Sequence, residues 1–204
     1  MKQINVAVIG TGWCGGIRAN TCATNPLVKD LYIAEIRPER LEEVKNLTNP
    51  VMATTNYKEL LKNDNIDAYF ISTTPEDIHF PMAKDCMEAG KHVFLEKPLA
   101  ITLAEADELV ALAEKSNVKF TIGYSQRFNP KFAYLKKCLS EGTIGQPVAG
   151  LVSRHITRGL GHKIGKRIKL SPAAMEATHD LDFLLWCLDP AKPIRVYSQS
   201  AYGA

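Results

Sequence analysis

The segment VAVIGTGWCGG, residues 6–16, decides the predicted fold. An apolar run from Ile4 to Ile9, interrupted only by Asn5, is typical of a strand that is buried on both faces. Gly10, Gly12 and Gly15 follow in Gly-x-Gly-x-x-Gly spacing, and a helix-length stretch comes next. This spacing alone is a weak signal, but after a strand and before a helix it indicates dinucleotide binding. The alternative is a purely structural glycine turn in an unrelated α/β protein.

The three glycines have separate roles in the dinucleotide interpretation. Gly10 permits a tight turn, Gly12 lets a pyrophosphate approach the backbone, and Gly15 lets the helix pack on the strand. The helix N-terminus adds N–H donors and a positive dipole. Glu35 ends the second predicted strand, where an acid accepts hydrogen bonds from the adenosine ribose hydroxyls. Its charge repels a 2′-phosphate, so NAD is the favoured cofactor, and Arg37 and Arg40 nearby leave NADP possible.

Strands and helices alternate over residues 1–123, and short apolar runs stand between turn and capping signals. The later predicted strands are Leu31–Ala34, Ile66–Ser72, Val93–Leu95 and Phe120–Gly123, and the predicted helix starts are Pro38, Asn56, Thr74 with Pro75, and the Thr102-x-x-Glu105 capping box. This alternation predicts an α/β fold, a doubly wound parallel Rossmann sheet with helices on both faces.

The pattern changes after residue 123, and residues 124–204 are predicted to begin a second, open-sheet α/β domain. The predicted elements are a helix over Asn129–Ser140, a strand over Val148–Ile156, a helix over Ala173–Leu188 and a strand over Ile194–Ser200. Because two strands and two helices do not readily close a core, we expect this second domain to be incomplete. A basic stretch without acidic residues lies between Gly142 and Met175 and is either a mobile loop or an anion-binding lid. It contains Arg154, Arg158, Lys163, Lys166, Arg167 and Lys169, with His155 and His162 among them.

The stretch HVFLEKPLA, residues 92–100, places a carboxylate, an amine and a proline where a buried strand ends. In open parallel sheets, ligands bind beyond the carboxyl ends of the strands. Lys97 is therefore a candidate for the nicotinamide end of the cofactor, with Glu96 to orient it and Pro98 to fix its backbone. The alternative is a strand stop with two solvated charges.

A predicted helix in the second region carries a candidate acid/base group. Leu181, Leu184, Leu185 and Leu188 have the spacing of a core face, and Glu176, His179 and Asp182 fall on the other side. An imidazole with a carboxylate one turn away on either side suits proton transfer, because the carboxylate fixes its tautomer and stabilises its cation. The alternative is a solvated polar face with a capping glutamate.

Composition excludes several classes of function. Of 204 residues, 46% are hydrophobic and 23% are charged, with a net charge of +3 that is too small to favour nucleic acid or an anionic membrane. We expect no membrane span, no signal or transit peptide and a cytoplasmic location. The five scattered cysteines predict free thiols and no metal site.

Four motifs together resemble one family. Gly10-x-Gly12-x-x-Gly15, Glu96-Lys97-Pro98, Arg127-Phe128-Asn129-Pro130 and His179-x-x-Asp182 occur in the order found in glucose–fructose oxidoreductase, inositol dehydrogenase and MocA (Gfo/Idh/MocA) proteins. The resemblance implies NAD(P)-dependent hydride transfer to or from a hydroxyl carbon of a sugar or cyclitol, and a homo-oligomer for full-length relatives. Met175 stands where the family often has an aspartate, so Glu176 is the expected substitute.

The resemblance and the strand ends give the complete set of predicted site residues. The catalytic residues are Lys97, His179 and Glu176, with Lys97 contacting substrate and His179 as the acid/base group. The predicted cofactor contacts are Gly10, Thr11, Gly12, Trp13, Cys14, Gly15, Glu35, Arg37, Thr73, Thr74, Pro75, His79, Glu96, Lys97 and Arg127. The predicted substrate contacts are Lys97, Tyr124, Arg127, Arg154 and His179. The alternative function is a non-catalytic dinucleotide-binding or regulatory relative.

Overall fold

A computed structural model of the chain describes residues 2–155, 157, 159 and 175–199. The chain divides into two compact units, and the division follows Gly123. The predicted residues Arg158, Lys163, Lys166, Arg167 and Lys169, and the ends of predicted elements at Ile156, Ala173 and Ser200, lie outside the described residues.

The first unit is built on one parallel sheet of six strands in the order β3-β2-β1-β4-β5-β6. The strands are β1 Ile4–Ile9, β2 Val28–Ala34, β3 Met52–Thr54, β4 Ala68–Ile71, β5 His92–Leu95 and β6 Phe120–Ile122. Its helices are α1 Trp13–Thr24, α2 Pro38–Thr48, α3 Tyr57–Leu61, α4 His79–Glu88 and α5 Leu103–Lys115. This arrangement confirms the predicted Rossmann-type α/β fold.

Burial on both faces explains the unbroken apolar run Val6–Ile9 of β1. Ala7 and Ile9 pack in the core on one side of the sheet, and Val6 and Val8 pack in the core on the other. Each of the four side chains is at most 2% exposed. A strand that is covered on both sides offers no position for a polar side chain, so alternation disappears from its sequence.

Most predicted helix starts are confirmed. Thr102 and Glu105 form a reciprocal capping box at α5, Asn56 accepts a hydrogen bond from Lys58 N at α3, and Pro38 is the first residue of α2.

The predicted cap at Thr74 is wrong. Pro75 is extended (φ −70°, ψ 162°), a 3₁₀ turn covers Glu76–Ile78, and α4 begins only at His79. Proline fixes φ but not ψ, so Pro75 could leave the helical region. The sequence analysis also missed β3, which has only three residues.

The second unit contains α6, Pro130–Ser140, and α7, Thr178–Leu188. The two helices contact each other through Phe132 and Phe183, whose ring centroids are 4.6 Å apart. The predicted core face of α7 is wrong in part, since Leu181 is 60% exposed and Leu185 46%. Phe183, which lies outside that leucine face, supplies the ring contact with α6.

The predicted strands at Val148 and Ile194 are not strands over residues 148–155 and 194–199. Within the described residues neither segment joins a sheet, and a strand exists only where a neighbour shares its hydrogen bonds. Val148 and Ile194 are almost completely exposed.

Two features are absent from residues 2–155, 157, 159 and 175–199. No helix there has the length and apolar character needed to cross a membrane. No group of three or more His, Cys, Asp or Glu side chains there could hold a metal ion.

Candidate functional site

The glycine turn after β1 is sterically closed at two positions and open at the third. A Cβ on Gly15 would lie 1.9 Å from Gly10 O, and a Cβ on Gly10 would lie 2.8 Å from Ser72 O. Gly10 also has φ +79°, which a glycine adopts without cost. A Cβ on Gly12 would meet nothing within 4 Å. The turn therefore packs tightly against the start of α1 and the end of β4, and the side of Gly12 where a side chain would project is open.

The N-terminus of α1 borders that open space. No side chain caps the helix at Gly12, and its first turn has no acidic residue. The first N–H groups of a helix have no intrahelical acceptor, and they carry the positive end of the helix dipole. Trp13 and Cys14 in this turn are exposed. The segment from Gly10 to Gly15 thus has the features of an anion-binding helix start.

Glu35 ties the end of β2 to the glycine turn. Its Oε2 accepts hydrogen bonds from Thr11 N at 2.8 Å and Thr11 Oγ1 at 2.9 Å, and its Oε1 accepts from Arg37 Nε at 3.1 Å. Burial opposes ionisation, but the donors on Arg37 and Thr11 outweigh it and hold the pKa of Glu35 below its usual range. Both carboxylate oxygens of Glu35 are therefore engaged by protein donors.

Arg37 and Arg40 differ in exposure and in partners. The Arg37 side chain is 54% exposed, and Glu35 raises its pKa through a hydrogen bond. The Arg40 guanidinium donates from Nε to Thr11 O at 2.8 Å and pairs with Glu43. Arg40 thus stabilises the glycine turn through its hydrogen bond to Thr11 O. The guanidinium of Arg37 remains accessible to solvent.

The loop after β4 brings Thr73 and Ser72 next to the glycine turn. A methyl carbon of Thr73 and the Ser72 backbone oxygen are the atoms that a side chain on Gly10 would meet first. The hydroxyl oxygens of Ser72 and Thr73 are buried and have no hydrogen-bond partner among the described residues. Such orphaned hydroxyls beside a phosphate-type turn fit a polar ligand. Thr74 and Pro75 continue the same loop, and Pro75 is extended.

His79 has no exposed surface. Its Nδ1 lies 2.8 Å from Pro98 O and its Nε2 lies 3.1 Å from Thr73 O. This burial argues against the direct cofactor contact that the sequence analysis expects of His79. The ring instead connects the loop after β4 to the loop after β5.

Glu96 and Lys97 follow β5 at the same edge of the sheet. Glu96 forms an ion pair with Arg18 of α1, and its Oε2 accepts a hydrogen bond from Lys97 N at 3.3 Å. The Arg18 guanidinium also lies 4.4 Å from the centre of the Phe94 ring. Burial lowers the pKa of Arg18. Gly123 packs directly on the Glu96 carboxylate, where a Cβ would come within 2.9 Å of Oε2.

In the second unit, Arg127 grips Asp182 with two hydrogen bonds. Arg127 Nε donates to Oδ2 at 2.8 Å and Nη2 donates to Oδ1 at 2.6 Å. The hydrogen bond to Asp182 raises the pKa of Arg127, and its guanidinium lies 5.6 Å from the centre of the Trp186 ring. Both carboxylate oxygens of Asp182 are thus bonded to Arg127, whereas the sequence predicts that Asp182 lies beside His179.

Arg154 makes a second bidentate pair close to the first. It bonds to both oxygens of Asp180, with Nη2 2.7 Å from Oδ1, and it lies 3.8 Å from the Glu176 carboxylate. The bond from Arg154 holds the pKa of Asp180 below its usual range. Two arginines and three carboxylates therefore form a charge network around the first turns of α7.

His179 lies in the first turn of α7, directly before Asp180. Its ring packs edge-on against Tyr124, with centroids 6.2 Å apart, and Tyr124 Oη lies 3.2 Å from Thr178 Oγ1. The second unit thus brings together the predicted residues Tyr124, Arg127, Arg154, Glu176 and His179.

Comparison with known proteins identifies the family. Residues 4–124 match the model of the Gfo/Idh/MocA oxidoreductase family, which is described as having an NAD-binding Rossmann fold. The chain belongs to this family. Its first unit is the NAD-binding Rossmann fold of Gfo/Idh/MocA proteins, as the sequence resemblance predicts.

Three members of the family illustrate how similar this chain is to known proteins. The myo-inositol 2-dehydrogenase of Thermotoga maritima is 33% identical over 147 residues, covering 71% of this chain and 43% of that protein. The scyllo-inositol 2-dehydrogenase (NADP(+)) of Bacillus subtilis is 30% identical over 144 residues, covering 71% and 39%. The crystal structure of myo-inositol 2-dehydrogenase from Lactobacillus plantarum superposes with a TM-score of 0.75 at 27% identity, covering 91% and 56%. The chain spans about half the length of these relatives.

The sequence analysis of this Gfo/Idh/MocA chain missed two site residues. One of them is Arg18, the partner of Glu96. Because α1 contains no acidic residue, its sequence indicates that Arg18 needs a carboxylate partner from another element. Asp180, the partner of Arg154, is adjacent to His179 in sequence and was passed over for the carboxylates one turn away. In both cases the partner lies far along the chain, so spacing alone does not reveal the pair.

Proposed function

We propose that this chain belongs to an NAD(P)-dependent oxidoreductase that transfers hydride between the nicotinamide and a CH–OH carbon of a cyclitol or sugar. The observation that carries the proposal is that the glycine turn and Lys97 leave the same edge of one parallel sheet. β1, β4 and β5 are adjacent and parallel, so Gly10, Thr73 and Lys97 all follow carboxyl ends of neighbouring strands. Ligands of open parallel sheets bind at this edge.

The residues of the glycine turn fit a dinucleotide. Open space above Gly12, an uncapped start of α1 and the orphaned Thr73 hydroxyl provide an approach, N–H donors and a polar contact. Trp13, Cys14, Thr74 and Pro75 border the same turn and loop, and we assign them to the cofactor as backbone or packing contacts. When bound, NAD supplies a carbon that accepts or returns a hydride.

The proton chemistry is assigned to Lys97 and His179. The Lys97 ammonium, placed by the end of β5, orients and polarises the substrate oxygen, and His179 takes the hydroxyl proton during oxidation and returns it during reduction. Glu176 supports the imidazolium of His179 from one turn earlier on the chain. Tyr124, Arg127 and Arg154 surround His179 in its own unit and provide hydrogen bonds to substrate hydroxyls.

The charge network of the second unit supports a neutral substrate. Arg127 is paired with Asp182, and Arg154 is paired with Asp180 and lies near Glu176. Arginines whose charge is already matched by carboxylates offer little net attraction to an anion. All three relatives above are named inositol dehydrogenases, which agrees with an uncharged polyol.

The test is NADH formation with a panel of myo-inositol, scyllo-inositol and simple sugars as substrates. Lys97→Ala and His179→Ala are each expected to lower kcat by about 10²- to 10⁴-fold. NADH affinity, measured by fluorescence titration, is expected to stay within about threefold of wild type for His179→Ala. The matched controls are Lys115→Ala, an exposed lysine at the end of α5, and His92→Asn, a histidine at the amino end of β5.

The outcomes separate the proposal from its alternative. Full turnover in either variant removes that residue from the mechanism. Tight NADH binding without turnover on any member of the panel favours a non-catalytic dinucleotide-binding relative.

NADP is a second cofactor candidate because of one observation. The exposed Arg37 cation stands next to a Glu35 carboxylate whose oxygens are already engaged. A paired carboxylate repels a 2′-phosphate less than a free one, and Arg37 offers that phosphate a bidentate partner. We therefore propose that the chain accepts both NAD and NADP.

We also propose a cytoplasmic location and a homo-oligomeric full-length protein. All five cysteines are free in the structure, which suits a reducing compartment. Light scattering of the purified protein measures the oligomer, and a monomer at micromolar concentration contradicts that part of the proposal.

A further inference from the structure

His79 is a buried group whose chemistry the proposed function does not use. The side chain is completely inaccessible, and it begins α4 without any capping role. Both ring nitrogens are within hydrogen-bond distance of backbone carbonyl oxygens, Pro98 O at 2.8 Å and Thr73 O at 3.1 Å. Those two carbonyls belong to the loops that follow β4 and β5, which carry the proposed cofactor and substrate contacts.

The two acceptors restrict the position of the proton on the ring. A carbonyl oxygen cannot donate, so each contact is attractive only when the facing nitrogen carries hydrogen. A neutral imidazole has one N–H, and the contact to Pro98 O is the shorter one. A proton on Nδ1 is therefore required for the contact to Pro98, whether or not Nε2 is also protonated.

The bond to Pro98 O acts on the backbone of Lys97. Glu96 N donates to Ile71 O at 2.9 Å and Lys97 N donates to Glu96 Oε2 at 3.3 Å, which fixes the chain before Lys97. The ring of Pro98 restricts its φ, so a bond to its carbonyl oxygen fixes the chain after Lys97. His79 provides that second attachment, and its Nε2 lies 3.1 Å from the carbonyl oxygen of Thr73, which follows the strand next to β1.

We propose that His79 is a positioning residue: its Nδ1–H bond to Pro98 O holds the backbone that presents Lys97. The role rests on the proposed function of Lys97. His79 touches neither cofactor nor substrate, and it acts through the Glu96-Lys97-Pro98 segment.

Two amide substitutions separate the two ring nitrogens. Asparagine places an N–H near the position of Nδ1, and glutamine places one near the position of Nε2. His79→Asn is expected to keep kcat within about threefold of wild type, whereas His79→Gln lowers kcat by about 10- to 100-fold, the effect of a displacement near 1 Å. KM for the polyol and the Kd for NADH change by less than about threefold in both variants. His92→Asn is the matched control, because His92 lies at the opposite end of β5.

A role confined to packing predicts a different result. Both amides remove the same ring from the same buried site, so a packing role lowers the melting temperature and kcat of the two variants together. Equal kcat in the asparagine and glutamine variants, or a higher kcat in His79→Gln, overturns the proposal.

A measurement on the wild-type protein keeps the inference testable if both variants fail to fold or if no polyol is turned over. Nitrogen-15 NMR of histidine-labelled protein reports which ring nitrogen carries the proton. A protonated Nδ1 on His79 supports the proposal, and an unprotonated Nδ1 overturns it. This readout does not depend on turnover, so failure of the proposed function and failure of the role of His79 are distinguishable.

Discussion

Arg18, in the second turn of α1, forms an ion pair with Glu96, which follows β5. Both side chains are largely buried, 23% and 13% exposed, and the pair connects the helix that starts at the glycine turn to the segment that presents Lys97. The Arg18 guanidinium also packs over the ring of Phe94, which lies in β5. One ion pair thus links the proposed phosphate cradle to the proposed catalytic lysine inside a single unit.

Removing Arg18 should destabilise the first unit. Arg18→Met leaves the Glu96 carboxylate buried without its cation, which costs about 2 kcal/mol or more in unfolding free energy. Glu96→Gln in the Arg18→Met background should recover part of that loss, because the stranded charge is gone. Urea unfolding of the two single variants and the double variant measures the coupling, expected at about 1–2 kcal/mol. Strict additivity would show that the pair contributes nothing.

Gly15 and Gly12 should respond oppositely to alanine. Gly15→Ala places a Cβ 1.9 Å from Gly10 O, so we expect a loss of about 3 kcal/mol or more, or no folded protein. Gly12→Ala meets no protein atom within 4 Å and should leave the melting temperature nearly unchanged. Its methyl group occupies the proposed phosphate space, so NADH affinity should fall by about tenfold or more. Unchanged NADH affinity in Gly12→Ala would move the dinucleotide elsewhere.

Arg37 should influence the choice between NAD and NADP. Loss of a charge-assisted bidentate contact to a 2′-phosphate costs about 1.5–3 kcal/mol, so Arg37→Ala should lower kcat/KM for NADP by about 10- to 100-fold. The value for NAD should change by less than about threefold. Lys45→Ala, an exposed cation in the last turn of α2, is the control. Parallel losses with both cofactors would show that Arg37 acts by holding Glu35.

The lowered pKa of Glu35 predicts a pH dependence of stability. The folded state favours the carboxylate, so its contribution is complete above the unfolded pKa near 4.5 and is lost as pH falls from there through the lower folded pKa. The difference in melting temperature between wild type and Glu35→Gln should therefore be largest near neutral pH and shrink below about pH 4.5. Glu39→Gln controls for removing one negative charge nearby. A difference that stays constant with pH would contradict the assigned role of the Thr11 and Arg37 donors.

Short sequence patterns predict a secondary-structure element correctly when the forces that shape the element act within it. The apolar run of β1, the spacing of Gly10, Gly12 and Gly15, and the capping box of Thr102 and Glu105 each predicted what the structure shows. Burial on both faces, steric exclusion of Cβ and helix capping all act over a few residues, so they leave a direct trace in sequence. The fold class follows from that trace.

Pairing across the chain could not be derived in this way. Thr74 is predicted to cap a helix, yet Pro75 is extended and α4 begins only at His79. Asp182 was predicted to serve His179, yet it binds Arg127, which precedes it by a full helix and a loop. The strands predicted at Val148 and Ile194 depend on neighbouring strands, which a sequence pattern does not provide.

Sequence patterns alone are enough to predict a Rossmann fold with a phosphate-type turn, and they make Lys97 and His179 candidate site residues. Only the tertiary structure decided how those groups are held: Arg18 on Glu96, His79 between Pro98 and Thr73, and Arg154 on Asp180. The physical reason is the separation along the chain between the residues that interact. Backbone sterics and hydrophobic periodicity act between residues that are close in sequence, whereas ion pairs and buried hydrogen bonds are selected by distance in the folded chain.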